Sequence, residues 1–197
     1  MSTFETLALS KHPCDAVFLA ARDRLERVVQ GVDDIDRVVC QRRLVTDDGR
    51  VELTNLWYVK TPIPTAIQDF LKPHMLVWTD HALWTMADHT CRWHVVSRFF
   101  PDSVKCSGFT RYESTMRGQT RVAVRGEISV EAAGLVDAAV ARGMEELIGA
   151  LFPSALRRVI DSVSRYLSEA SAPAPEDLSP RPDIWIPSAP TLAGRAR

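Results

Sequence analysis

Residues 76–100, LVWTDHALWTMADHTCRWHVVSRFF, alternate between apolar and polar side chains. That pattern marks a strand pair with one covered face and one wet face. With Asp88-His89 as a two-residue turn, Met86 faces Cys91, Trp84 faces Trp93, Ala82 faces Val95, Asp80 faces Ser97 and Trp78 faces Phe99. All ten residues then share one side of the hairpin. The other side collects Thr79, His81, Thr85, Arg92, His94 and Arg98, interrupted by Leu83 and Val96. Three of the chain's five tryptophans thus surround a single acid, Asp80. Such a face is either packed core or the wall of an apolar pocket.

Two more hairpins extend the pattern. A type I′ turn at Asp48-Gly49 aligns Val38, Cys40, Arg42 and Leu44 with Val51, Leu53, Asn55, Trp57 and Val59, placing Arg42 opposite Asn55. A turn at Arg117-Gly118 aligns Phe109, Arg111 and Glu113 with Val122, Val124 and Ile128. A loop one residue longer would turn a strand over, so the apolar match is what favours these registers. They predict a large antiparallel sheet with one aromatic face that also carries Arg42, Asn55, Asp80, Ser97, Arg111 and Glu113.

The rest of the chain supplies a cover for that face. Thr6–Ser10 reads as a short strand, and Pro13 suits the start of a helix over Cys14–Gln30 that Gly31 ends. Pro62–Leu71 carries a short helical pattern closed by Pro73. From Glu131 to Glu169 apolar residues recur every three or four positions, with Pro153 expected to kink or restart the helix. A helix with so long an apolar stripe needs a long apolar partner, and the inner face of the sheet is the only candidate. The class is α+β: a curved antiparallel sheet gripping a long C-terminal helix. Six of twelve prolines fall between Pro173 and Pro190, so residues 1–169 read as one ligand-binding domain and 170–197 as a disordered proline-rich tail.

Composition narrows the function. The chain has 197 residues, 46% of them hydrophobic, and a formal net charge of −1. Near-neutral balance argues against nucleic-acid binding, which needs a basic footprint. Cys14, Cys40, Cys91 and Cys106 lack metal-ligand spacing, and the histidines share no helical motif with an acid, so no metal and no cofactor are expected. No glycine-rich phosphate loop or nucleophile elbow is present. With no leader at the N-terminus and no run of about 18 apolar residues, the expected location is cytoplasmic.

The inward polar set admits two readings. Arg42 or Arg111 could pair with Asp80 or Glu113 as internal salt bridges. The same groups could recognise a ligand headgroup at the end of a cavity. Trp57, Trp78, Trp84, Trp93 and Phe99 could fill space under the helix. One helix fills a broad concave sheet poorly, however, and the small Gly143 on its covering side leaves room, so a lined void is expected.

The element order, His12-Pro13 before the first helix, Gly31 to Arg37, Arg43-Leu44 before Asp48-Gly49 and the Pro64–Leu71 connection together resemble the START-like (SRPBCC, Bet v 1-like) helix-grip superfamily, and within it a PRELI-like branch of phospholipid-transfer proteins. The resemblance implies non-catalytic binding, and transfer, of a lipid-like ligand, with basic residues at the headgroup and transient membrane contact; the strand registers, not a family motif, place Arg42 and Arg111 there. Two other classes stay open: an enzyme of the cyclase or hydrolase kind using Asp80 or Glu113 as general acid or base, and an interaction domain with a filled core. Pairing discriminates among them. Acids held by the two arginines stay ionised and are poor bases, whereas an unpaired acid beside an open cavity favours the enzyme.

Overall fold

The computed structural model describes residues 2–131 and 138–171. Seven strands form one antiparallel sheet in the order β1-β7-β6-β5-β4-β3-β2. They are β1 (Ser2–Ser10), β2 (Ile35–Val45), β3 (Val51–Val59), β4 (Val77–Thr85), β5 (Thr90–Ser97), β6 (Val104–Ser114) and β7 (Thr120–Val130). Helices α1 (Cys14–Asp23) and α2 (Leu25–Val28) connect the two edge strands, β1 and β2. The long helix α3 (Ala138–Ala170) packs on the inner face of the curved sheet. The predicted α+β helix grip is the observed architecture.

Several elements depart from the sequence reading. The first helix breaks at Arg24, whose φ of −125° leaves the helical region. Pro62–Leu71 contributes only a 3-10 turn at Thr65–Ile67. Helix α3 continues through Pro153, where the Ser154 hydroxyl donates to the carbonyls of Ala150 and Leu151. The expected helix start at Glu131 and the expected tail, residues 170–197, fall largely on 132–137 and 172–197, outside the described residues.

The registers show why some faces were read correctly and others not. Hairpin β4–β5 closes with a four-residue loop, Met86 to His89, so Trp84 faces Cys91, Ala82 faces Trp93, Asp80 faces Val95 and Trp78 faces Ser97. A slip of two residues preserves parity, and the inward set survives. The other two hairpins use three-residue loops whose third position is a glycine with positive φ, Gly49 at 77° and Gly118 at 71°. That loop type adds one residue to the assumed turn and turns a strand over. On β6, Tyr112 and Thr110 therefore face inward, opposite Val122 and Val124, and Phe109, Arg111 and Glu113 face outward. On β2, Arg42 pairs with Thr54 on the outer face, and an irregularity between Cys40 and Arg42 restores the predicted side for Val38, opposite Trp57.

Packing closes both ends of the grip. Phe18 of α1 is fully buried, with its ring edge-to-face with Trp84 (5.3 Å) and Tyr112 (5.4 Å). His12 Nε2 lies 3.0 Å from both the Ser164 carbonyl oxygen and the Ser168 hydroxyl, pinning the β1–α1 corner to the C-terminal part of α3. Gly143 leaves room for Ile67 rather than for a void: a Cβ there would sit 2.6 Å from Ile67 Cγ2. Among the described residues no helix is long and apolar enough to cross a membrane.

Candidate functional site

Between the sheet and the stretch of α3 from Ile148 to Val163 lies a cavity of about 170 Å³. Its sheet wall is built from alternating inward positions of β3, β4, β5 and β6, because period-two side chains from neighbouring strands stack into one surface. Ile148, Phe152, Ala155 and Leu156 of α3 form the opposite wall. Trp93 lies against the sheet because β6 and β7 place Gly108 opposite Gly126 beneath it. A Cβ on Gly108 would be 2.3 Å from the Trp93 ring. Asp34, paired with Arg158 across to α3, contributes to the lining from the turn before β2.

Asp80 is the one carboxylate on the sheet wall of this cavity, 9% exposed, and no described cation pairs with it. The Asn55 side-chain amide donates to its Oδ2 at 3.1 Å. Burial disfavours the charged form and pushes the Asp80 pKa up to about 6, against smaller opposing effects of Asn55 and the Trp57 indole. The Trp57 N–H acts there without making a hydrogen bond of normal geometry. Other titratable groups of the inner face are held out of reach of neutral-pH chemistry. Burial, reinforced by the charge of Asp80, raises the Cys91 thiol well above its ordinary value and pushes Cys106 up to about 12. Burial likewise raises the Tyr112 phenol. Asp80 is thus the inner-face group poised to exchange a proton near neutrality.

The structure gathers Trp57, Trp78, Trp84, Trp93, Asn55 and Asp80 around the cavity, as expected from the alternation. It removes four other residues. Phe99 lies beyond the end of β5, 43% exposed, with its ring against His74. Arg42 is exposed on the outer face of edge strand β2. Arg111 is exposed on the outer face of β6. Glu113 is on that face too, bound by Arg121, whose hydrogen bond holds its carboxyl below the usual range. The expected headgroup arginines are therefore absent from the cavity. Sequence reasoning missed Tyr112, Thr110 and Phe152. The first two were legible in the parity of β6, given a three-residue loop at Met116-Arg117-Gly118.

His81 and His94 stack on the outer face with ring centroids 4.6 Å apart. No group of three or more metal-ligating side chains exists among the described residues.

No protein-family model and no curated protein matches the chain, so nothing there supports a PRELI-like branch. Solved structures do match. TTHA0849 from Thermus thermophilus superposes with a TM-score of 0.62 at 13% identity, over 87% of this chain and 100% of that one. The fold is the START-like helix grip. Two helix-grip enzymes share it. The Zhui aromatase/cyclase from Streptomyces sp. R1128 has a TM-score of 0.61 at 15% identity, over 86% and 98% of the two chains. A truncated norcoclaurine synthase from Thalictrum flavum has a TM-score of 0.55 at 10% identity, over 85% and 94%.

Proposed function

We propose that this chain is an acid–base enzyme acting on a small, ring-bearing, largely apolar substrate, with Asp80 as the group that takes and returns the proton. The observation that carries the reading is the lack of a cationic partner among the described residues: Asp80 is buried on an apolar cavity wall with only a neutral amide and an indole N–H beside it. A carboxylate held by an arginine would stay ionised and weakly basic. One kept in an apolar wall has a pKa close to the pH at which it must work. As a base, Asp80 would remove a proton from carbon next to a substrate carbonyl, leaving the electron pair in an enolate. Returning that proton to carbon, or to a departing hydroxyl, completes isomerisation, ring closure or dehydration. The cyclase and synthase named above support this class, since their fold accommodates such chemistry.

Cavity size separates this reading from lipid carriage. At about 170 Å³ the void is below the roughly 300–1,000 Å³ of drug-sized pockets, and close to a cavity known to take benzene. One or two rings fit; two acyl chains do not.

Proton exchange on a simple bicyclic ketone tests the proposal. In deuterated buffer the protein should accelerate exchange of the protons next to the carbonyl of 1-tetralone, read by NMR, with the rate rising through an apparent pKa near 6. Asp80→Asn should lower that rate by at least about a hundredfold. Equal exchange in the two proteins would refute the enzyme, and tight binding without exchange would favour a carrier.

A further inference from the structure

A second, smaller void adjoins the cavity. It measures about 20 Å³, room for one water molecule or one methyl group. Val59, Trp78, Ile148 and Leu151 line both voids, so a single layer of side chains separates them. Beyond that layer the annex is bounded by Leu71, Met75, Phe100, Met144 and Leu147. Among the described residues Ser97 supplies its one hydroxyl, whose oxygen already accepts from the Phe100 N–H at 3.2 Å. Water in such a space would need two to four polar partners, so the annex is suited to an apolar group instead.

The connection from β3 to β4 builds this end of the grip. Gly143 lets Ile67 seat against α3, and the Leu71 N–H donates to the Ile67 carbonyl at 2.8 Å, which carries Leu71 over the annex. Behind it the rings of Phe70 and Phe100 stack with centroids 5.3 Å apart. Met75 and Met144 are unbranched, so they can change rotamer to follow the shape of a guest. The strand register then fixes where the annex lies. Trp78 faces Ser97 across β4 and β5 and is two residues from Asp80, about 7 Å along the strand. Trp84 is on the other side of Asp80, four residues away. The annex is therefore at the Asp80 end of the cavity, past Trp78.

Resting on the reading of this cavity as a ligand site, we infer that its ligand is a flat ring system bearing a methyl-sized branch beside the carbon that reacts, with the rings lying between Asp80 and Trp84 and the branch passing Trp78 into the annex. Trp78 and Leu151 are only half-buried and are the side chains that shift to admit it. An unbranched ring leaves the annex empty, and a longer chain overfills it. Selection for branch length follows from that fit.

A series of ketones tests this, titrated calorimetrically against the whole chain: 1-tetralone, 2-methyl-1-tetralone and 2-butyl-1-tetralone. The methyl ketone should bind about fourfold more tightly than the parent, the gain from burying one carbon. The butyl ketone should bind more weakly than the methyl ketone, because the annex holds no further carbons. Leu147→Phe, which fills the annex at a position that does not line the main cavity, should bring the methyl-to-parent ratio to one or below. Taking the ratio within each protein cancels any general loss of packing. In wild-type protein labelled with ¹³C at the methionine methyls, which no variant can compromise, the Met75 and Met144 signals should shift with 2-methyl-1-tetralone well beyond their response to 1-tetralone. If methyl ketone and parent bind alike, or affinity keeps rising through the butyl ketone, the inference falls while the cavity site stands. If no ketone binds, the ligand-site reading falls with it.

Discussion

Replacing Asp80 by asparagine should remove a loss of stability that the wild-type protein incurs as pH rises through the weakly acidic range. The carboxyl has a pKa of about 6 when folded, against an ordinary value of 3.8. A raised acid pKa means the folded state holds the proton more tightly than the unfolded state does. Below about pH 3.8 both states are protonated and Asp80 costs nothing. As pH rises toward 6, the unfolded chain releases its proton first and is favoured. Above 6 both are ionised and the penalty is complete. A shift of about two units corresponds to about 3 kcal/mol, of which about 2.5 kcal/mol accrues between about pH 4 and pH 7.5. The asparagine variant lacks this proton linkage. Its new amide N–H needs a partner and costs something itself, but that cost does not change with pH.

The quantity to measure is therefore the difference in unfolding free energy, variant minus wild type, from urea titrations at half-unit steps of pH. It should grow in the variant's favour by about 2.5 kcal/mol across that range, whatever its sign at the acidic end. The depressed carboxyls of Asp23 and Glu113 push stability the other way in both proteins and so cancel in the difference. Parallel curves would mean that Asp80 ionises as freely as a surface carboxylate. The proposed acid–base role would lose its basis.

Three further outcomes follow from the packing. Arg42→Met and Arg111→Met should each leave stability within about 0.5 kcal/mol and 2-naphthol affinity unchanged by calorimetry, because both side chains lie on the solvent side of the sheet. Gly108→Ala should destabilise by about 1–3 kcal/mol in urea unfolding, since its Cβ would meet the Trp93 ring at 2.3 Å and the Arg125 carbonyl oxygen at 2.4 Å, and backbone cannot step aside. Phe18→Ala should cost about 3–5 kcal/mol, measured the same way, because its buried ring fills the space between α1 and the rings of Trp84 and Tyr112.

How much of this was legible beforehand depends on whether a register error was even or odd. The fold needed only the apolar periods, three-to-four in the last helix and two in the strands, and these survive any misplacement of the turns. The tryptophan hairpin was misread by two residues, yet Trp78, Asp80, Trp84 and Trp93 kept their side because parity is unchanged. The flanking hairpins were misread by one, and Arg111, Glu113 and Arg42 went to the wrong face. The clue was the glycine at the third loop position in Asp47-Asp48-Gly49 and Met116-Arg117-Gly118, a position that a three-residue loop needs in the left-handed region. Cavity volume, by contrast, depends on how α1 and α3 seat against the sheet, which no local pattern encodes.

These odd slips decide the chemistry as well as the geometry. With Arg42 and Arg111 inside, Asp80 and Glu113 would be neutralised in pairs, and the cavity would hold fixed charges suited to an anionic headgroup. With both arginines outside, Glu113 follows them onto the surface and finds Arg121 there. Asp80 alone remains on the inner wall of the sheet, next to the Asn55 amide and the Trp57 indole. A buried wall with one titratable acid and no fixed charge has nothing with which to grip a phosphate. Its net charge can change by one proton near pH 6, and in the proposed reaction that change would alter its affinity for a carbonyl as the carbonyl becomes an enolate. Differential binding of that kind is what a proton-transfer catalyst requires and what a carrier of intact lipid has no use for.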